Sequence, residues 1–173
     1  RELDDKQCQM RQVGTAHLME IMNDHDLLPT INYQYGSHED AWKIDSSVWK
    51  SKFTQNIPDG CWIGCNMSCS KGADNVTLTT GPYKGQVVTV DGPEYENAAG
   101  LGSNCGIFDP AYIIEANFYC DTYGICTITW GTLTAFIMEC FQRGILNADR
   151  AQGFEMHFGE SEKALELLHM TAR

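Results

Sequence analysis

The sequence predicts a mainly α, irregular helical domain with one small β-hairpin at about residues 76–90. Three observations predict it. Polar residues suited to capping stand ahead of apolar runs at Ser37, Asp45, Asp109 and Ser161. Alternating Val-Thr patterning is confined to residues 76–80 and 86–90, around the turn Gly81-Pro82-Tyr83-Lys84-Gly85. Hydrophobic residues make up 43% of the 173, which is enough for a real core.

Residues 4–26 predict one amphipathic helix or two short ones, with Met10, Val13, His17 and Ile21 at helical spacing. Gly14-Thr15 is the expected break. Pro29 ends the pattern, and residues 30–36 read as extended, closing in a turn. Ser37 and Asp40 have the spacing of a cap ahead of Ala41-Trp42-Lys43-Ile44. Asp45 caps a second short helix through Val48, Trp49 and Phe53, with both tryptophans as core anchors. Residues 56–60 are the loop into the next stretch. After the hairpin, Glu94 and Glu96 share a side if the chain is extended and diverge if it is helical. Asp109-Pro110 starts a helix through Ile113, Ile114, Asn117 and Cys120, which Gly124 stops. Residues 133–141 predict another helix, closed by Gly144, with Phe136, Ile137 and Cys140 as its buried stripe. Residues 147–159 are mostly loop. Ser161 caps the last helix, which places Leu165, Leu168 and His169 on one face.

A formal charge of −11 argues against a nucleic-acid surface, which needs clustered Lys and Arg. No apolar run of bilayer-spanning length and no signal peptide is visible, so the expected location is cytoplasmic. Eight cysteines are compatible with a disulfide scaffold, but their spacing favours metal ligation in a reducing compartment. The chain opens Arg1-Glu2-Leu3 without an initiator Met, and the expectation is a piece of a longer polypeptide.

The densest chemistry is Gly60-Cys61-Trp62-Ile63-Gly64-Cys65-Asn66-Met67-Ser68-Cys69, with three cysteines at equal spacing. Thiolates so close together suit an iron–sulfur cluster or a zinc ion. Cluster ligation usually needs four, so Cys105 or a residue outside the chain completes the set. The competing reading is a buried structural cysteine cluster or disulfide pair. Glycines within the run favour backbone wrapped closely around a bound group.

Several segments together resemble the tungsten-containing aldehyde:ferredoxin oxidoreductase family. They are Gly14-Thr15-Ala16, Leu28-Pro29-Thr30-Ile31-Asn32-Tyr33, the cysteine stretch, Gly92-Pro93-Glu94-Tyr95-Glu96, Asn104-Cys105-Gly106-Ile107-Phe108-Asp109, Cys120-Asp121-Thr122-Tyr123-Gly124-Ile125, and Ala135-Phe136-Ile137-Met138-Glu139-Cys140. They follow the family's order along nearly the whole chain, which resembles the family's second, helical domain. The resemblance implies a tungsten (or molybdenum) bis-pterin and a 4Fe-4S cluster. It implies that Cys61, Cys65 and Cys69 hold the cluster with a fourth cysteine from elsewhere in the polypeptide. It places Asp121, Gly124 and Ile125 at the pterin-binding turn, Glu96 as a proton-transferring carboxylate near the metal, and Thr127 in the same pocket. It gives Glu115 as a carboxylate that in some members binds a metal between subunits. A ferredoxin or iron–sulfur subunit is the implied electron partner, in a homo- or hetero-oligomer.

Two features depart from the family pattern. The first cysteine gap is one residue longer, with Trp62 where the family writes its first cysteine. The pterin turn reads Gly124-Ile125-Cys126-Thr127 where the family writes Gly-Leu-Asp-Thr. A thiolate is a good ligand for a soft, heavy metal, so Cys126 is a candidate tungsten ligand as well as a cofactor contact. That pattern resembles the catalytic subunit of class II benzoyl-CoA reductase and leans the reading toward aromatic ring reduction. Aldehyde oxidation with ferredoxin as acceptor stays open beside it. So does a non-catalytic, metal-stabilised electron-transfer module.

Overall fold

The computed structural model describes residues 9–54, 64–65 and 67–172. Among the described residues seven α-helical segments lie in chain order: α1 Gln9–Val13, α2 Leu18–Asp24, α3 Ser46–Lys52, α4 Tyr95–Asn97, α5 Pro110–Tyr123, α6 Thr127–Gln142 and α7 Ser161–Thr171. Strands β1 (Gly72–Thr77) and β2 (Val87–Asp91) form an antiparallel hairpin. The expected architecture is therefore the observed one: mainly helical, with one two-stranded sheet among the described residues.

Gly14 breaks the first helix as expected, at φ +70, and a 3-10 turn (Gly14–His17) separates α1 from α2. That turn rotates the second half relative to the first. Val13, Ala16, Met19 and Leu28 are buried, whereas Ile21, expected inside, is exposed. Each fully buried Met19 or Leu28 side chain contributes roughly 1.5–3 kcal/mol.

Residues 30–36 are not extended. Ile31, Asn32 and Tyr33 stand in succession at φ 50, 49 and 61, and Thr30 bridges to Tyr35. Left-handed backbone costs roughly 1–2 kcal/mol per non-glycine residue. Bonds that the local sequence does not announce offset it. Ile31 N donates to Ser103 O at 3.1 Å, Asn32 N to Asn104 O at 2.8 Å, and Tyr33 N to Asn104 Oδ1 at 3.1 Å.

His38, not Ser37, caps the 3-10 turn Glu39–Ile44, its Nδ1 accepting from Asp40 N at 3.0 Å. Ser37 instead donates to Asp26 Oδ1 at 2.5 Å. Asp45 caps α3 as expected, accepting from Ser47 N and Val48 N. Trp49 is fully buried and donates to Ile44 O, whereas Trp42 is 63% exposed and anchors nothing in the core. The hairpin starts earlier than its alternation suggests. β1 begins at Gly72 and carries a bulge between Ala73 and Val76. Residues 78–80 lie beyond its end.

Asp109 and Pro110 open α5, with Asp109 accepting from Ala111 N at 2.9 Å. This is the central helix: Tyr112 to Asn117, Tyr119 and Cys120 are all buried. Helix α6 starts at Thr127, earlier than its apolar stretch suggests, and meets α5 at 116°. Its buried face is Trp130, Gly131, Thr134, Ala135, Met138 and Phe141, with Cys140, while the expected Phe136 is 55% exposed. Gly131 sets the packing there. A Cβ on it would lie 2.5 Å from the Gly100 carbonyl carbon, in the π-helical turn Ala98–Gly102 that follows α4. Glu160, without a side-chain cap bond, precedes α7 in place of the expected Ser161 cap. No single helix among the described residues is long and apolar enough to cross a membrane.

Candidate functional site

The corner between α5 and α6 exposes the candidate cofactor residues. Asp121 sits in the last turn of α5. Gly124 ends the helix at φ +69, and Gly124 N and Ile125 N donate back to Asp121 O (3.1 Å) and Cys120 O (2.8 Å). A Cβ at Gly124 would meet nothing within 4 Å, so glycine serves the backbone turn there and leaves open space beside it. Cys126 is the exposed residue at the N-cap position of α6. The Thr129 amide and hydroxyl and the Ile128 amide face its sulfur and lower its pKa from the ordinary thiol value. Cys120, one turn back, is pushed up to about 12, by burial first and then by Asp121 and Cys126.

Beside this corner a cavity of about 110 Å³ is lined by Asp91, Gly92, Glu94, Asn97, Asn117 and Asp121. Burial raises the Asp121 pKa, and the neighbouring Asp91 charge adds to it. Asn117 donates to Asp91 O at 2.5 Å, which ties α5 to the end of β2. Asn97 links two of the sequence segments. Its Oδ1 accepts from Glu94 N at 2.9 Å, and its Nδ2 donates to Thr127 Oγ1 at 2.5 Å. Glu94 caps α4, so Glu94 and Glu96 diverge: Glu94 turns inward to the Thr15 hydroxyl and Glu96 is exposed. Tyr95 between them is pushed up to about 12, by burial first and then by Glu96 and Tyr33. Tyr33, in the left-handed turn at residues 31–33, is thus among the groups that act on Tyr95.

On the cysteine side, Cys65 and Cys69 are partly exposed, and Cys61 lies outside the described residues. Gly64 (φ 99) and Ser68 (φ 47) both turn left-handed within this stretch. A Cβ on Gly14 would stand 2.5 Å from Cys69 O, so Gly14 is what lets the cysteine segment close on the 3-10 turn. The next residue, Thr15, donates to Glu94 and accepts from Tyr95 N at 2.8 Å. One turn therefore touches both the cysteine segment and the segment carrying Glu94 and Glu96. Among the described residues no three His, Cys, Asp or Glu side chains are gathered as a metal ion would require.

Glu115 lies apart from these groups. It is 5% exposed and accepts from Thr79 N and Oγ1 and from Thr80 N and Oγ1, at 2.6–3.1 Å. Burial acts to raise its pKa, but the bonds from Thr80 and Thr79 together outweigh it and lower the pKa. Thr80 Oγ1 also lies 2.9 Å from His169 Nε2, whose Nδ1 is 2.8 Å from the Tyr123 hydroxyl. In this chain Glu115 turns inward and clamps the hairpin loop through Thr79 and Thr80.

Asp121, Gly124, Ile125, Cys126 and Thr127 follow one another at the α5–α6 corner, Asn97 of α4 bonds Thr127, and exposed Glu96 precedes Asn97, while Cys65 and Cys69 lie on the segment that packs against Gly14. Sequence reasoning missed Thr15, Asn97, Tyr33 and Asp91. Their roles come from contacts across the chain. Only the Gly-Thr-Ala and Leu-Pro-Thr-Ile-Asn-Tyr segments, noted as text, pointed toward two of them.

The chain matches the family model for aldehyde ferredoxin oxidoreductase, domains 2 & 3, over residues 1–173. It is similar to the tungsten-containing aldehyde ferredoxin oxidoreductase of Pyrococcus abyssi, 36% identical over 165 residues, 92% of this chain and 25% of that protein. The protein of the same description from Thermococcus kodakarensis is 39% identical over 138 residues, 79% of this chain and 21% of that one. An aliphatic sulfonate oxidoreductase, WOR-like subunit, of Pyrococcus furiosus is 31% identical over 165 residues, 92% of this chain and 24% of that protein. The chain spans about a quarter of the length of the curated relatives it matches.

Proposed function

Because the chain belongs to the aldehyde ferredoxin oxidoreductase family, we propose that it is the helical, cofactor-binding domain of a tungstopterin oxidoreductase. Aldehyde oxidation to a carboxylic acid is the first substrate reading, in keeping with the descriptions of the relatives matched. The remaining domains and the fourth cluster cysteine belong to the rest of the polypeptide, and a ferredoxin or iron–sulfur subunit takes the electrons.

The observation that carries this reading is the Gly14-Thr15 turn, which packs on Cys69 with one residue and bonds Glu94 and the Tyr95 amide with the next. Electron-transfer and substrate-side residues then share one rigid support. The donor sets fit the two groups. Cys65 and Cys69 offer thiols on a segment that the missing Cβ of Gly14 lets pack against the 3-10 turn. Asp121 faces a small polar cavity, and open space adjoins Gly124. When bound, a tungsten bis-pterin supplies two-electron redox chemistry at a sulfur-ligated metal. Asp121 would accept hydrogen bonds from N–H groups of the pterin. Gly124 and Ile125 let the backbone approach its flat face. Thr127 is held by Asn97, which itself lines the cavity. Glu96, exposed beside Tyr95, holds and releases the proton at its carboxylate. Cys61, Cys65 and Cys69 would hold the 4Fe-4S cluster.

A second reading, ring reduction of an aromatic acyl-CoA, rests on one observation: an exposed, acidified thiol at Cys126 directly after the pterin turn. A thiolate there would be a further soft ligand for the metal, and a sulfur-rich sphere would suit electron delivery better than oxygen transfer. X-ray absorption at the tungsten edge of the full-length protein decides it. Loss of about one sulfur in Cys126→Ser supports ligation. An unchanged sulfur count rejects it. Substrate assays separate the activities directly: aldehyde-dependent viologen reduction against conversion of benzoyl-CoA.

A further inference from the structure

Lys71 is a cation where the fold has little room for one. It is 6% exposed, and its Nζ donates to Ser68 O at 2.6 Å and Ser70 O at 2.9 Å, the carbonyls on either side of Cys69. Its own carbonyl accepts from Gly92 N at 2.6 Å, which anchors it to the end of the hairpin. Gly14 closes the other side, with a Cβ there falling 3.2 Å from Lys71 Cγ. Both described hydrogen bonds of the ammonium therefore go to neutral carbonyls. A buried ammonium is costly unless an anion compensates it. Burial lowers the Lys71 pKa, and the facing Cys69 and Glu94 oppose that shift. Glu94 already accepts from the Thr15 hydroxyl and caps α4.

We propose that Lys71 is the positioning residue of the cysteine segment: it clamps the backbone around Cys69 and raises the reduction potential of the cluster that Cys69 ligates. This rests on the cluster reading above. A positive charge fixed beside one ligand favours the more negative, reduced state of an iron–sulfur centre, whose potential follows net charge and hydrogen bonding. The carbonyl bonds orient the segment, and the charge sets the energy of the added electron. The two functions separate by substitution, because Arg keeps the charge and Met keeps only the bulk.

The test is a redox titration of the full-length protein, purified without oxygen and followed by electron paramagnetic resonance, with iron counted in each sample. Lys71→Met is expected to keep its iron and to titrate lower. At the wild-type midpoint its reduced-to-oxidised ratio should fall about tenfold, which is about 59 mV for a one-electron couple. Lys71→Arg is expected to stay near the wild type. Should Lys71→Met lose its iron, Lys71→Gln and Lys71→Arg decide. Loss in both neutral variants with retention in Lys71→Arg still supports a required charge. Loss in all three overturns it. An iron-replete Lys71→Met with the wild-type potential overturns the inference and leaves the cluster reading standing. A wild-type protein without iron defeats the cluster reading and this inference together.

Discussion

The α5–α6 corner and the cysteine segment are both candidate cofactor sites, and the chain builds them in opposite ways. The corner is made of local rules. Asp109 and Pro110 start α5, Gly124 ends it, and Cys126 takes the N-cap position of the next helix, all within a short run of sequence. The cysteine segment is held from a distance. Gly14 packs on Cys69, and Thr15 reaches Glu94 some 79 positions away. A site built from caps tolerates changes elsewhere. A site built from tertiary approach fails when any remote support changes shape.

That contrast can be broken or sharpened, and the largest effect is expected at the corner. Asp121→Ala should empty the pterin site, because loss of charge-assisted bonds costs on the order of 3–6 kcal/mol in binding. Tungsten and pterin analysis of the full-length variant checks this, and full occupancy would remove Asp121 from the site.

Next come two glycines, one for each region. Gly131→Ala forces a Cβ to within 2.5–2.9 Å of the Gly100 backbone and should cost about 1–3 kcal/mol of stability through overpacking. Gly14→Ala combines positive φ with a 2.5 Å contact to Cys69 O. Its expected signature differs: iron is lost while the melting temperature falls less than in Gly131→Ala. Equal iron loss in both variants would erase the distinction between the regions.

Glu115 gives a pH signature. Its folded pKa is lowered by the Thr79 and Thr80 bonds, so its stabilisation is present above the ordinary Glu value of about 4.3. It is lost as pH falls through the lower folded pKa. Glu115→Gln should weaken the protein at neutral pH and flatten the acid limb of the stability curve. Parallel acid limbs in the two proteins would contradict the clamp. The smallest effect is Asp45→Ala, which removes the α3 cap bonds to Ser47 N and Val48 N. It should lower stability by about 1 kcal/mol in denaturant titration and leave both sites intact.

The same division explains what the sequence made legible. Caps and stops whose chemistry is local, at Asp45, Asp109-Pro110 and Gly124, could be placed from the residues alone. So could the break at Gly14. Features decided by distant partners could not. Residues 31–33 turn left-handed because Ser103 and Asn104 bond their amides, and nothing local announces it. Ile21 and Phe136 fit apolar stripes, yet the 3-10 turn and the Gly100–Gly131 contact set other faces inward. Trp42 had the size of a core anchor but stands outside the core. For the candidate site, ordered motifs singled out Asp121, Gly124 and the cysteines, while Thr15, Asn97 and Lys71 became visible only through what they touch.

The central claim is that these two regions serve one tungstopterin, iron–sulfur enzyme. Metal analysis of the anaerobically purified full-length protein, with electron paramagnetic resonance of its reduced form, tests it most directly. The account predicts about four irons and one tungsten per chain, with a reduced-cluster signal. Zinc alone, with neither iron nor tungsten, would contradict it and leave a metal-stabilised structural module in its place.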